Sequence, residues 1–428
     1  MKLNHIYKSI ACGVLLAMTA TSCDLDYNPV DTYSDVTEGV NKTDEKPIFN
    51  SVQDVETSMV TLHKKFRDQQ EHWYVDKLLI GDAHSDNAYA GTTGAEVVPY
   101  ETNSIEGSNS VLKRDWDRFL GDIAVANRII VGCDQLKALS ESERGKYQSQ
   151  AKIFRAMVMF DMVRLWGNFP VITTVGGDIT EDNVEEMYPT YFPPQNTAEE
   201  AYAQIEKDLT EAVENPNTPT NDTSDKSILT KSVARAMLAK VYAEKPLRDY
   251  AKVIKYADEL AADGFDLVED FSDLWAYDTE KKDCRVRNTK EAILEAHFPP
   301  GSGNWCTWMF GRNLSNWDES FTWAKWITPS RDLIRLYEEQ GDTKRYNESV
   351  VWYDCGWSNY YPADHYAFMY KCRSAFNSII YLRYADILLL KAEAKIMGET
   401  RPERCSRHHR PHPQPRRTGQ TSTKHPQQ

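Results

Sequence analysis

From Ile153 to Trp166 the chain reads IFRAMVMFDMVRLW, a run with apolar residues on most sides of a helix. A helix lying on a surface needs a polar face, so this one is expected to be buried between neighbours. Gly167 and Asn168 end it, and Pro170 prevents its restart. A chain built around such an element must supply other helices to cover it, and amphipathic stripes recur on both sides. Val55, Met59, Leu62 and Phe66 follow Ser51, whose hydroxyl can cap the first turn with Asp54 three residues on. Leu112, Trp116, Phe119, Ile123, Ala126 and Ile130 form a second stripe, and Ala201–Val213 another amphipathic helix. Thr230 is the expected N-cap of an Ala-rich helix through Tyr242. A turn at Lys245–Pro246 then leads into Tyr250, Ile254, Ala257 and Ala261, stopped by Gly264. The pair 230–264 is close in length to one tetratricopeptide repeat. The fold class read from these patterns is mainly α.

The N-terminus has a different logic. Lys2 and Lys8 precede an apolar stretch, Ile10–Ala20, too short to cross a bilayer, which takes about 20 residues. Ala20, Thr21 and Ser22 then lead into Cys23. This is the layout of a secretory signal, and a cysteine at the cleavage point resembles a bacterial lipoprotein signal with a diacyl group on the thiol. The expected organisation is a signal peptide at 1–22, a flexible tether at 23–46 beginning at lipidated Cys23, a binding domain at 47–400, and a tail at 401–428.

Charge narrows the partners. The formal charge is −14, yet residues 401–428 hold seven Arg or Lys against Glu403 alone, leaving −20 on residues 1–400. An acidic body repels nucleic acid and anionic lipid surfaces, so attachment has to come from the lipid and no nucleic acid is expected. The tail contains no Val, Ile, Leu, Met or aromatic residue and is expected to be disordered. Its composition differs from the rest as a changed reading frame would make it differ. Beyond Cys12 and Cys23, six cysteines show no CxxC and no zinc-like spacing to His.

Residues 265–380 are short on clean periodicity and rich in aromatics, Gly and Pro, which reads as loops and short strands set on the helical scaffold. Helical character returns at Ser330–Glu339 and at Arg383–Ile396, with Gly398 as the expected stop.

Five segments in order resemble the SusD/RagB family of outer-membrane nutrient-binding lipoproteins. They are CDLDYNP at Cys23–Pro29, FRAMVMFDMVRLWGNFPVI at Phe154–Ile172, LTKSVARAMLAKVYA at Leu229–Ala243, PSRDLIRLYEEQGDTKR at Pro329–Arg345 and YLRYADILLLKAEA at Tyr381–Ala394. The resemblance implies a tetratricopeptide-like scaffold of four helix pairs with an irregular, aromatic-rich ligand face. It also implies a SusC-like TonB-dependent transporter as partner, over which the lipoprotein sits as a lid. The family continues past its Tyr-Ala-Asp helix with further helices; here the basic tail stands instead, so the C-terminus reads as truncated or altered.

Chemistry concentrates in the aromatics. Seven of the eleven tryptophans fall within 305–357. Sugar rings stack their C–H faces on such rings, while their hydroxyls need amides, carboxylates and Arg. Any single ring serves a core as readily, but the set is expected to place one or two at a ligand. The candidates are Trp305, Trp308 and Trp317 as the platform, with Asn313 and Asp318 as hydroxyl partners. GDAHSDNAY at 81–89 is a second candidate, through Asp86, Asn87 and Tyr89. The same oxygens, with Asp82, could hold Ca²⁺, but the spacing lacks an EF-hand's Gly and closing Glu, and a turn with Asx caps is the plainer reading. Asp161 and Arg164, three apart, read as an internal ion pair.

No GxSxG, HExxH, P-loop or GxGxxG stands in a suitable context, and no cofactor is called for. The sequence therefore reads as a surface lipoprotein that binds oligosaccharide or polysaccharide and delivers it to a transporter. The alternatives are a peptide binder of the same architecture, a secreted glycoside hydrolase, and a structural helical-repeat scaffold.

Overall fold

The computed structural model describes residues 47–91, 94–177, 184–185, 191–278, 280–281, 283–298, 303–311 and 325–399. The chain divides into two units. One comprises Met1–Pro47 with Gly176–Phe192, the other Ile48–Val175 with Pro193–Gln428. In the first, Tyr191 donates a hydrogen bond to the Gly177 carbonyl at 2.7 Å.

Helix α1 (Val52–Asp68) opens on the expected capping box: Ser51 accepts from the Asp54 amide, and Asp54 accepts from the Ser51 amide. Val55, Met59, Leu62 and Phe66 face inward. A wider helical run follows at 71–83, with π turns at Glu71–Val75 and Leu79–Ala83 flanking Asp76–Leu78. The extra residue in each turn re-aims the side chains, and His72, Trp73, Tyr74 and Val75 all become buried. Strand β1 (Ala88–Ala90) and the short helix α2 (Val98–Thr102) come next.

The scaffold continues as α3 (Ser110–Gln135), α4 (Glu141–Trp166), α5 (Ala198–Glu214), α6 (Lys231–Ala243) and α7 (Tyr250–Ala262). Each packs against the next in the chain. Helix α4 lies between α3 and α5, and every residue from Ile153 to Val163 is buried, as its all-round apolar character requires. Ser140 with Glu143, and Thr197 with Glu200, make further capping boxes. Gly167 (φ 74°) turns the chain out of α4 through a conformation that residues with a Cβ avoid. In α6, fully buried Ala234, Ala236 and Ala239 let neighbouring backbones approach.

The aromatic-rich stretch after α7 holds paired short strands, all antiparallel. β2 (Tyr277–Asp278) joins β3 (Asp283–Cys284), and β4 (Ala292–Ala296) pairs with β8 (Ile379–Arg383). β1 pairs with β5 (Ile327–Pro329), and β6 (Val350–Tyr353) with β7 (Tyr366–Met369). Between them lie α8 (Trp305–Met309), α9 (Arg331–Gln340) and α10 (Thr343–Ser349). A small separate core of Ile334, Val350, Tyr361, Tyr366, Ala367 and Phe368 sits under the β6–β7 hairpin. The last helix, α11 (Tyr384–Glu399), packs on α6 and α7.

Two expectations need correction. Asp161 does not pair with Arg164. Its carboxylate takes the Lys77 ammonium at 2.7 and 2.8 Å and the Tyr381 hydroxyl at 2.9 Å, while Arg164 points outward to Glu244 at 3.3 Å. Burial decides this, because Asp161 faces the interior and Arg164 has turned past it to the surface. Gly398 does not stop its helix, since α11 runs through it to Glu399. One glycine weakens a helix by about 1 kcal/mol without ending it. The proposed signal, the tether with Cys23, and the tail beyond residue 400 lie outside the described residues.

Candidate functional site

Helix α8 is five residues long and would not persist alone. Polar clamps hold its inner side. Asn304 caps it by accepting from the Cys306 amide at 2.9 Å, and its own amide donates to the Asn377 carbonyl at 2.9 Å. Gln70 accepts from the Trp305 amide and donates to the Gly303 carbonyl, both at 2.9 Å. Thr307 donates to the Ser374 carbonyl at 2.6 Å. With Cys306 and Phe310 fully buried, two large rings are left facing outward: Trp305 is 37% exposed and Trp308 57%.

Gly311 follows, and only glycine fits there. A Cβ would stand 1.6 Å from the Cys372 carbonyl oxygen. Asn313, Trp317 and Asp318, the other expected members of this platform, lie outside the described residues.

The second candidate segment folds as a turn into β1, with Asp86 and Asn87 exposed. Their backbone carbonyls are occupied by Ser330: its hydroxyl donates to Asp86, and its amide to Asn87 at 3.0 Å. The same hydroxyl caps α9. Tyr89 stacks on Tyr360 with ring centres 4.5 Å apart and planes 8° from parallel, and its hydroxyl accepts from the Arg331 amide at 3.1 Å. Tyr89 is thus held by packing, whereas the side chains of Asp86 and Asn87 point to solvent. Among the described residues no group of three or more His, Cys, Asp or Glu is placed to hold a metal ion.

The two segments border one cavity of about 400 Å³. Asn87 and Ala88 line it from one side, Asn304 and Cys306 from α8, and Trp275, Tyr337, Ser349, Asp82 and Lys371 complete much of the wall. The Lys371 ammonium lies 5.1 Å from the centre of the Trp275 ring. Burial pushes the Lys371 ammonium down and the Asp82 carboxyl up, and the attraction between the two charges opposes both shifts. An aromatic wall beside one carboxylate, one ammonium and two amides suits a ligand that is apolar on its faces and hydroxylated at its edges. Nothing in the sequence singles out Trp275, Tyr337 or Lys371, which stand far apart along the chain and meet only through the β-strand pairings.

Of the other tryptophans in the crowded stretch, Trp352 stacks on His365 at 4.3 Å and meets Tyr361 edge-on, and Trp357 packs edge-on against Tyr366 and Phe368. Both tryptophans pack against the small second core.

Helix pairs carrying a loop-rich face with exposed aromatic rings define a binding protein on a helical-repeat scaffold. The family model described as "Starch-binding associating with outer membrane" (SusD-like) matches residues 32–243, just under half of the chain, and the chain is similar to this family. A SusD-like protein from Bacteroides ovatus is 25% identical over 309 residues, 69% of this chain and 50% of its own length. The chain thus spans about half the length of that curated relative.

Among solved structures, surface glycan-binding protein A from Bacteroides fluxus superposes with a TM-score of 0.65 at 20% identity, over 82% of this chain and 77% of its own. The protein of that name from Bacteroides thetaiotaomicron, solved with laminarihexaose, gives 0.62 at 15%, over 81% and 79%. These likenesses establish the fold. A laminarin-binding SusD-like protein shares the fold as well, with a TM-score of 0.61 at 19% identity.

Proposed function

We propose that the protein is an outer-membrane surface lipoprotein that binds oligosaccharide or polysaccharide and hands it to a SusC-like TonB-dependent transporter. The observation that carries the reading is the short helix α8, clamped on its inner side, which also borders the cavity through Asn304 and Cys306, and presenting Trp305 and Trp308 on its outer side. Exposed rings held rigidly are what a sugar face requires, because little freedom is lost when the ligand stacks. Glycan ligands in the names of structural neighbours support the same class. Asp86 and Asn87 act as hydroxyl partners, with Tyr89 fixing the strand that presents them. Anchoring is through Cys23, and no helix among the described residues is long and apolar enough to cross a membrane.

The test is affinity electrophoresis of the full chain through gels holding a panel of polysaccharides, laminarin included. At least one glycan should retard the protein relative to a non-binding control. Unchanged mobility in every gel would remove the glycan reading and favour the peptide-binding alternative.

A further inference from the structure

We propose that Cys306 and Cys372 form an intramolecular disulfide in the mature protein, stapling the helix that carries Trp305 and Trp308 to the segment after β7. The two residues are 66 positions apart in sequence and line the same cavity. Both are free thiols, Cys306 buried and Cys372 partly exposed. The backbones around them are already joined on both sides. The Asn304 amide donates to the Ala375 carbonyl at 2.8 Å, and the Thr307 hydroxyl to the Ser374 carbonyl at 2.6 Å. On the far side, the Gly311 amide donates to the Cys306 carbonyl at 3.2 Å, while a Cβ on Gly311 would lie 3.0 Å from Cys372 Cβ. The flanking bonds thus hold the two cysteine-bearing segments against each other, and closeness of the two backbones is what a disulfide requires.

The other cysteines differ. Cys133 is buried on α3, and Cys284 receives the Ser378 amide at 3.1 Å.

The oxidant is a small-molecule or protein disulfide, of the kind that an extracytoplasmic compartment supplies; in this respect the inference rests on the surface location proposed above. Cys372, the partly exposed partner, loses its proton and attacks the acceptor disulfide, releasing one thiolate and leaving a mixed disulfide. Cys306 then loses its proton and attacks the Cys372 sulfur, releasing the second thiolate. Two electrons pass to the acceptor, and the two protons reach its thiolates. Burial holds the Cys306 thiol well above its ordinary range, so this second step should quicken as pH rises. The closed loop spans α9, α10, β5, β6 and β7, and a cross-link over so long a loop removes much freedom from the unfolded chain.

Full-length protein from the envelope of secreting cells is quenched in acid, unfolded, alkylated with iodoacetamide, reduced, and alkylated again with N-ethylmaleimide. Peptide mass spectrometry should place N-ethylmaleimide on Cys306 and Cys372 and show them linked before reduction. Dithiothreitol should lower the melting temperature by several degrees, and Cys372→Ser should remove that sensitivity. Iodoacetamide on both residues overturns the proposal, as does a bridge from either one to Cys284. The wild-type labelling decides the matter even where the variant folds poorly. A parallel sample of reduced protein treated with oxidised glutathione isolates the geometry, and failure to bridge there overturns the proposal independently of location. Glycan retention is scored in separate gels, so a failure of the binding reading appears there and not in the labelling.

Discussion

Arg155 on α4 grips Asp208 on α5 through two parallel hydrogen bonds, 2.8 Å from Nε and 2.7 Å from Nη2, with 4% and 1% of the side chains exposed. Asn127 on α3 accepts from the remaining Nη1 at 2.7 Å, so one guanidinium ties three consecutive scaffold helices together. Asp208→Ala leaves a buried cation without its counter-charge and should cost about 3–5 kcal/mol in urea unfolding. Arg155→Lys should also destabilise, because an ammonium cannot supply the paired fork to Asp208. A cost below about 1 kcal/mol for Asp208→Ala would show the clamp to be dispensable.

Lys77 and Arg164 separate the observed from the expected partner of Asp161. The stem of Lys77 is partly exposed, but its ammonium is buried on Asp161, which holds it charged against the downward pull of burial. Lys77→Met should destabilise by about 3–5 kcal/mol, since it strands a buried carboxylate. Arg164→Ala, which removes a surface contact to Glu244 and a guanidinium stacked over the Phe160 ring, should cost less, about 1 kcal/mol. Equal effects in a denaturation series would contradict this assignment.

Asp115 sets a pH dependence. It is 1% exposed on α3, and burial together with the neighbouring Asp76 carboxylate pushes its carboxyl up to about 9 from 3.8. The folded protein therefore keeps a proton that the unfolded chain gives up. Its contribution is fully present below about pH 4, and through this group stability should fall as pH rises from about 4 to about 9. Asp115→Asn fixes a neutral side chain of the same shape and should flatten that fall, as read from melting temperature against pH. A wild-type curve that rises over this interval would refute the proton held on Asp115.

Trp305 and Trp308 should behave as ligand platforms and not as core. Each Trp→Ala substitution should weaken glycan retention by roughly tenfold, about 1–2 kcal/mol, with an unchanged melting temperature. Trp73, fully buried and bonded through its indole N–H to Asp122 at 3.0 Å, supplies the contrast. Trp73→Ala should cost about 3–5 kcal/mol of stability. If Trp305→Ala and Trp308→Ala lower melting temperature and binding in proportion, the site must lie elsewhere.

Cys23→Ala should move the protein from the membrane fraction to the soluble fraction, because the acidic body offers no electrostatic attachment in place of the lipid. Continued sedimentation with membranes would remove the anchor assignment.

Local interactions made the scaffold legible in the sequence. The caps at Ser51 and Thr230, the exit at Gly167 and the burial of Ile153–Val163 depend on residues within one or two turns of each other, which is where capping and periodicity act. The exposure of Trp305 and Trp308 was half legible: their types pointed to a platform, but the clamps from Gln70 and Asn377 that hold it come from 235 and 73 positions away. Only the tertiary structure decided which charge meets Asp161, that Tyr89 packs on Tyr360, and that Asp82, Trp275 and Lys371 share a cavity with Asn87. Helical spacing offered Arg164 to Asp161, yet burial favoured Lys77 because that ammonium alone arrives on the interior side. Helix stripes and caps are written in short-range order, whereas a site assembled by antiparallel strand pairs such as β4–β8 joins residues whose proximity no local pattern encodes.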